Sequence, residues 1–167
     1  YKLNNKVNLY GQFVLDEFSL NDVTGGEKSW KNKFGYQLGA KYFNAFEVDN
    51  LLLQAEYNQV RPYTYSHNTQ ILNYANFNQP MAHLWGSNFR ELVLIGRYNY
   101  KRWFADAKFI VGQRGFDFNT AEDSFNYGGD IYANEDNRVG DTGIKIGQGN
   151  KTNSFMTEIQ AGYLLNP

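Results

Sequence analysis

The only two histidines of this chain, His67 and His83, fall in one stretch between Arg61 and Arg90. Nucleophilic catalysis would need a Ser, a His and an orienting acid or amide to converge in space. Ser66, His67 and Asn68 are merely adjacent in sequence, so polar loop histidines facing solvent are the simpler reading and no enzyme is expected. Asp117, Glu122, Asp123, Asp130, Glu135, Asp136 and Asp141 could supply oxygen ligands, but no spacing matches a calcium loop, and a solvated acidic loop is expected instead of a metal site. With no cysteine, thiol chemistry, disulfides and thiolate zinc sites are excluded. No cofactor is implied.

The aromatic and amide side chains of the same stretch suggest binding. Tyr63, Tyr65, Tyr74, Phe77 and Trp85 offer flat apolar faces with polar edges, and Asn73, Asn76, Asn78, Gln79, Arg61 and Arg90 offer directional hydrogen bonds. Sugars present C–H faces and fans of hydroxyls, which such a mixture fits. Candidate carbohydrate-binding residues are therefore Arg61, Tyr63, Tyr65, His67, Asn78, Gln79, His83, Trp85 and Arg90. The competing reading is a loop that packs on itself as a lid.

These residues must be held by strands. Period-2 alternation, which sends successive side chains to opposite faces, marks six segments at about 6–18, 33–47, 51–61, 89–100, 103–113 and 154–165. Leu53, Leu94 and Phe109 fall on the apolar face, Gln54, Glu91 and Lys108 on the polar one. The connections alternate between long and short. Polar loops follow the first, third and fifth strands, with tight turns at Val48-Asp49-Asn50 and Lys101-Arg102 and a turn signal at Asn166-Pro167. Within the third loop, GIKIG (143–147) reads as a short strand or rim extension.

The chain combines 17% aromatic residues with a mean hydropathy of −0.60. A transmembrane β-barrel averages a greasy outer face with a polar lumen and polar loops, so low hydropathy does not argue against a membrane. No run approaches the ~20 apolar residues of a spanning helix. The expected fold is an all-β, antiparallel up-and-down transmembrane barrel. Long loops would be extracellular, and Tyr1, the tight turns and Pro167 periplasmic. Such barrels start at about eight strands, so these six would be part of a larger one, in a mature or partial chain. Tyr98, Tyr100 and Trp103 suit an interfacial aromatic girdle. A soluble sandwich or lipocalin-like barrel shares the alternation but would turn the apolar face inward. A net charge of −1 gives no bulk attraction for nucleic acid.

EYNQVRPYTYSH (56–67), NYANFNQPMAHLWGSNFREL (73–92), YNYKRWF (98–104) and YLLNP (163–167) resemble the capsule-assembly Wzi-like outer-membrane proteins, including gliding-motility relatives. YGQFVLDEF (10–18) is similar to that family's early strand. The resemblance implies a non-enzymatic barrel in the outer membrane, lectin-like toward surface polysaccharide. An alternative is a non-catalytic scaffold subunit of an outer-membrane secretion or motility complex, whose loops meet other outer-membrane proteins.

Overall fold

The computed structural model describes residues 1–24, 26–77 and 79–165, leaving aside the side chain of residue 70. Asn78 and the Asn166-Pro167 turn lie outside the described residues.

Six long strands carry the fold: β1 (Val7–Glu17), β2 (Lys33–Phe43), β3 (Leu51–Val60), β6 (Phe89–Tyr100), β7 (Trp103–Phe116) and β8 (Asn150–Tyr163). A two-residue hairpin, β4 (Ala75–Asn76) with β5 (Gln79–Pro80), rides on the second long loop. The six form one sheet in the order β1-β2-β3-β6-β7-β8, every neighbouring pair antiparallel. This is an up-and-down meander. Among the described residues β1 and β8 do not pair with each other, so the sheet is open and not a closed barrel. Tyr1 and Lys2 run beside the edge of β1, where the Leu9 N–H donates to the Tyr1 carbonyl at 2.8 Å.

The register sorts the side chains as the alternation predicts. Gln54 faces Ile95 and Ile95 faces Lys108, while Asn58 faces Glu91, which places the polar set on one face. Leu53 stands with Gly96, and Ala55 with Leu94 and Phe109, on the other. Among the described residues no second layer covers the apolar face. Phe13 is 66% exposed, Leu38 59%, Phe155 69% and Ile159 71%. A soluble sandwich would bury these side chains. The polar face is instead laced by hydrogen bonds. Gln54 Nε2 donates to Tyr10 Oη at 2.7 Å, Tyr10 Oη donates to Glu56 Oε2 at 2.6 Å, and Asn58 Nδ2 bridges Glu56 and Glu91 at 2.9 Å each.

Several expected boundaries move. β2 stops at Phe43 and not at 47, because Asn44 takes a left-handed backbone (φ 48°) that ends the ladder, and the short 3-10 turn Ala45–Glu47 follows. β7 continues to Phe116 and β8 starts at Asn150, since Gly115 and Phe116 pair with Lys151 and Asn150. Polar composition alone assigns those residues to loop. GIKIG forms no strand. Gly143 and Gly147 adopt positive φ, and the N–H groups of Gly143 and Ile144 donate to Glu27 and Lys28 carbonyls of the first long loop. The short helix α1 (Leu20–Thr24) sits in that first loop.

The three long loops, 18–32, 61–88 and 117–149, leave the same end of the sheet and pack together. The buried core lies there and not between layers: Val60, Tyr65, Phe89 and Ile131 cluster, with Val14, Ala75, Trp85 and Tyr132 packed against them.

Candidate functional site

A bulge in β1 starts the construction of the cap. Leu15 pairs with Phe34 and Glu17 with Lys33, so Asp16 is the extra residue and two consecutive acids can serve the loop side. Glu17 meets Lys33 Nζ at 2.9 Å. Lys33 is fully buried, also pairs with Glu135 of the third loop, and donates to the Ser66 carbonyl of the second at 3.0 Å. Trp30 stands between Lys33 and Arg138, whose charges lie 5.0 and 4.1 Å from its ring.

The first half of the second loop turns inward. Arg61 donates from Nε to the Asn32 carbonyl (2.8 Å) and from Nη2 to the Ser29 carbonyl (3.0 Å), and burial lowers its pKa. Tyr63 is buried. Its N–H donates to the Gly128 carbonyl at 3.1 Å, its hydroxyl donates to the Asn126 carbonyl at 2.8 Å, and burial pushes its pKa up to about 12. Tyr65 is buried beside Tyr74, donates its N–H to Asp16 Oδ2 at 2.8 Å, and is likewise raised to about 12, by burial first and then by Asp16. Both tyrosines hold positive φ, 66° and 75°, a strained backbone that the surrounding bonds fix. The Ser66 hydroxyl donates to the Tyr63 carbonyl, and His67 faces Asp16 at 3.4 Å, so these neighbours bond to different partners. Arg61, Tyr63 and Tyr65 thus serve as internal ties of the cap, the two tyrosines buried and Arg61 half-buried.

The second half of that loop lies over the polar face of the sheet. His83 Nδ1 accepts the Trp85 N–H at 3.1 Å, which assigns the ring proton to Nε2, 2.8 Å from Glu91 Oε1. The imidazole stacks on Phe89 with centroids 4.4 Å apart. Trp85 lies over Gly112, where an added Cβ would come within 2.5 Å of the indole. Glycine at 112 therefore seats the tryptophan. Arg90 is exposed and donates to Gln113 Oε1 at 3.2 Å, and Gln79 is exposed on the hairpin.

Asn88, absent from the predicted set, is the hub of the cap. Its Nδ2 lies 3.2, 3.2 and 3.0 Å from the carbonyls of Gly115, Tyr127 and Gln148, and its Oδ1 accepts the Gly147 N–H at 2.7 Å. Nothing in the sequence distinguishes it, and an asparagine there reads as one loop amide among many.

Two open clefts flank Arg114. One of about 380 Å³ lies between the second and third loops, with Leu84 and Gly86 on one wall and Phe116, Asp117, Asp130 and Tyr132 on the other. A second of about 470 Å³ runs from Trp85 past Arg114 and Phe116 to Thr152–Met156. Of the predicted residues that are described, Trp85 reaches the second cleft, His83 and Tyr65 line a third of about 170 Å³ over the polar face, and Arg61, Tyr63, His67, Gln79 and Arg90 line none of these. Among the described residues no three His, Asp or Glu side chains converge as a metal site. The arrangement can offer hydrogen bonds, an arginine and apolar ring faces. No family model, curated protein or solved structure matches this chain.

Proposed function

We propose that this chain is part of a Wzi-like outer-membrane β-barrel that binds or organises capsular or exported polysaccharide at the cell surface, in capsule assembly or gliding motility. The observation that carries the membrane reading is the two-faced sheet: a bare apolar face set against a hydrogen-bonded polar face over which the second loop folds. Lipid on one side and an interior on the other account for that asymmetry. Strands of 10 to 14 residues are long enough to span, given the ~9–11 required. Tyr98, Tyr100, Trp103 and Tyr163 gather on the apolar face at the turn end, as a headgroup-level belt would. Among the described residues the outer edge of β8, and that of β1 beyond its pairing with Tyr1 and Lys2, has no strand partner, and such edges would need further strands within a bilayer, where every backbone polar group must be satisfied. The polysaccharide part rests on the clefts around Arg114, Phe116 and Trp85, which join ring faces to hydrogen-bonding groups, and on the sequence resemblance.

The test is retention of purified surface polysaccharide by the detergent-solubilised protein. Phe116→Ala and Trp85→Ala should each weaken retention while leaving heat-modifiable gel mobility intact. Equal binding by wild type and both variants would overturn the glycan assignment. Loss of the protein from the membrane fraction on carbonate washing would overturn the barrel assignment.

One observation favours the scaffold reading. Between Arg61 and Arg90 there is no Asp, Glu, Lys or Arg, and Ile71, Phe77 and Leu84 stand 89%, 94% and 84% exposed on that loop. Charge depletion around exposed apolar side chains is the composition of a protein contact. Purification of the native protein with Phe77→Asp and Leu84→Asp variants would show whether an outer-membrane subunit detaches.

A further inference from the structure

We infer that the cleft between the second and third long loops selects uncharged, hydroxyl-rich sugars over acidic ones. This rests on the polysaccharide reading and names the ligand class within it.

Arg114 supplies the cleft's single positive charge, and Asp117 and Asp130 supply two negative ones, so the lining carries a formal charge of 1 − 2 = −1. Arg114 is fixed in place: Nη2 donates to the Gly129 carbonyl at 3.1 Å and the guanidinium lies 4.6 Å from the Phe116 ring centre. Each carboxylate is half committed. Asp117 Oδ1 accepts the Tyr127 N–H at 2.7 Å and Asp130 Oδ1 accepts the Tyr132 N–H at 2.8 Å. Each bond uses one oxygen of its carboxylate, and a carboxylate has acceptor sites on both, which leaves acceptor capacity for ligand donors.

A sugar hydroxyl is both donor and acceptor. It can donate to those carboxylate oxygens and accept from the guanidinium or the Asn119 amide, while a C–H face lies on Phe116. A uronic or sialic acid would set a third carboxylate against Asp117 and Asp130. The opposite wall offers no relief, because no cation stands between Arg61 and Arg90. The local field agrees with this. The pKa of the Asp117 carboxyl is raised by burial and further by Asp130 and Asp123, in spite of the hydrogen bond from the Tyr127 N–H.

The test uses the detergent-solubilised chain, immobilised, with dextran- and mannan-derived oligosaccharides as neutral probes and oligogalacturonate and oligosialate as acidic ones. Wild type should bind at least one neutral probe and hold the acidic probes at least about tenfold more weakly, a gap that narrows with added salt. Asp130→Asn and Asp117→Asn should raise acidic-probe binding several-fold without abolishing neutral binding, and Phe116→Ala should weaken both. Tighter binding of an acidic probe by wild type would overturn this inference and leave the polysaccharide reading standing. Neutral binding untouched by all three substitutions would place the sugar elsewhere and overturn the inference alone. Failure of wild type to bind any probe or its own purified surface polysaccharide would overturn both.

Discussion

Replacing Lys33 by alanine removes a buried cation that joins the end of β1 to the second and third long loops. Its ammonium is fully buried, and of its two carboxylate partners Glu135 is 10% exposed and Glu17 43%. The magnitude follows from that asymmetry. Glu17 is wet enough to lose only about 0–1 kcal/mol when its partner goes. Glu135 would be left charged in a nearly dry site, and breaking a buried pair on one side costs about 3–5 kcal/mol. The lost bond to the Ser66 carbonyl adds about 1 kcal/mol. Lys33→Ala should therefore open the cap locally, by about 3–5 kcal/mol in total because the terms overlap. Hydrogen exchange resolves this, since the protection of amides at 63–66 and 128–148 reports the cap separately from the sheet. The double variant Lys33→Met with Glu135→Leu should recover most of the loss, because an apolar pair of similar volume is often neutral or stabilising. A Lys33→Ala cap opened by less than about 1 kcal/mol, or a double variant no better than the single one, would refute the electrostatic account of the cap.

Other perturbations probe separate joints. Asn88→Ala should cost about 2–4 kcal/mol, from four lost hydrogen bonds and a positive φ of 58°, and Asn88→Gly measurably less because glycine tolerates that backbone; chemical denaturation in micelles compares them. Gly112→Val should displace Trp85 from its seat at a cost of about 1–3 kcal/mol, visible as a red shift and increased quenching of tryptophan fluorescence. Arg61→Lys keeps the charge but loses the fork that spans the Ser29 and Asn32 carbonyls, for about 1–2 kcal/mol by the same denaturation assay. Asp117 gives a pH signature. Its folded pKa is raised, so the folded state holds the proton more tightly than the unfolded one, and stability falls as pH rises from the ordinary carboxylate value through the raised one. Asp117→Asn should abolish that fall and be the more stable protein at neutral pH, as measured by melting across the acidic range.

The sequence by itself determined the strands and their faces. Alternation is local, one residue up and the next down, so Leu53, Leu94 and Phe109 could be assigned to one face and Gln54, Glu91 and Lys108 to the other before any pairing was known, and the register keeps them there. The sorting of connections into long and short was equally local, because turn residues and polar runs announce themselves. Strand ends were less legible: nothing in the composition of Gly115-Phe116 or Asn150-Lys151 says that they pair with each other across the third loop.

Only the tertiary structure decided the site. A tyrosine in a polar loop reads as an exposed ring face, yet Tyr63 is buried because Gly128, far along the chain, leaves room for its backbone and Asn126 accepts its hydroxyl. Lys33 opens a strand with no local sign of burial, and it is a bulge in β1 and a turn at Glu135 that bring two carboxylates to it. Arg114, Asp117 and Asp130 carried no signal in sequence beyond ordinary charge, and the cleft they line exists only because two long loops fold against each other. The division has one cause: strand faces depend on neighbours in the chain, whereas burial and charge environment in a loop depend on residues tens of positions away.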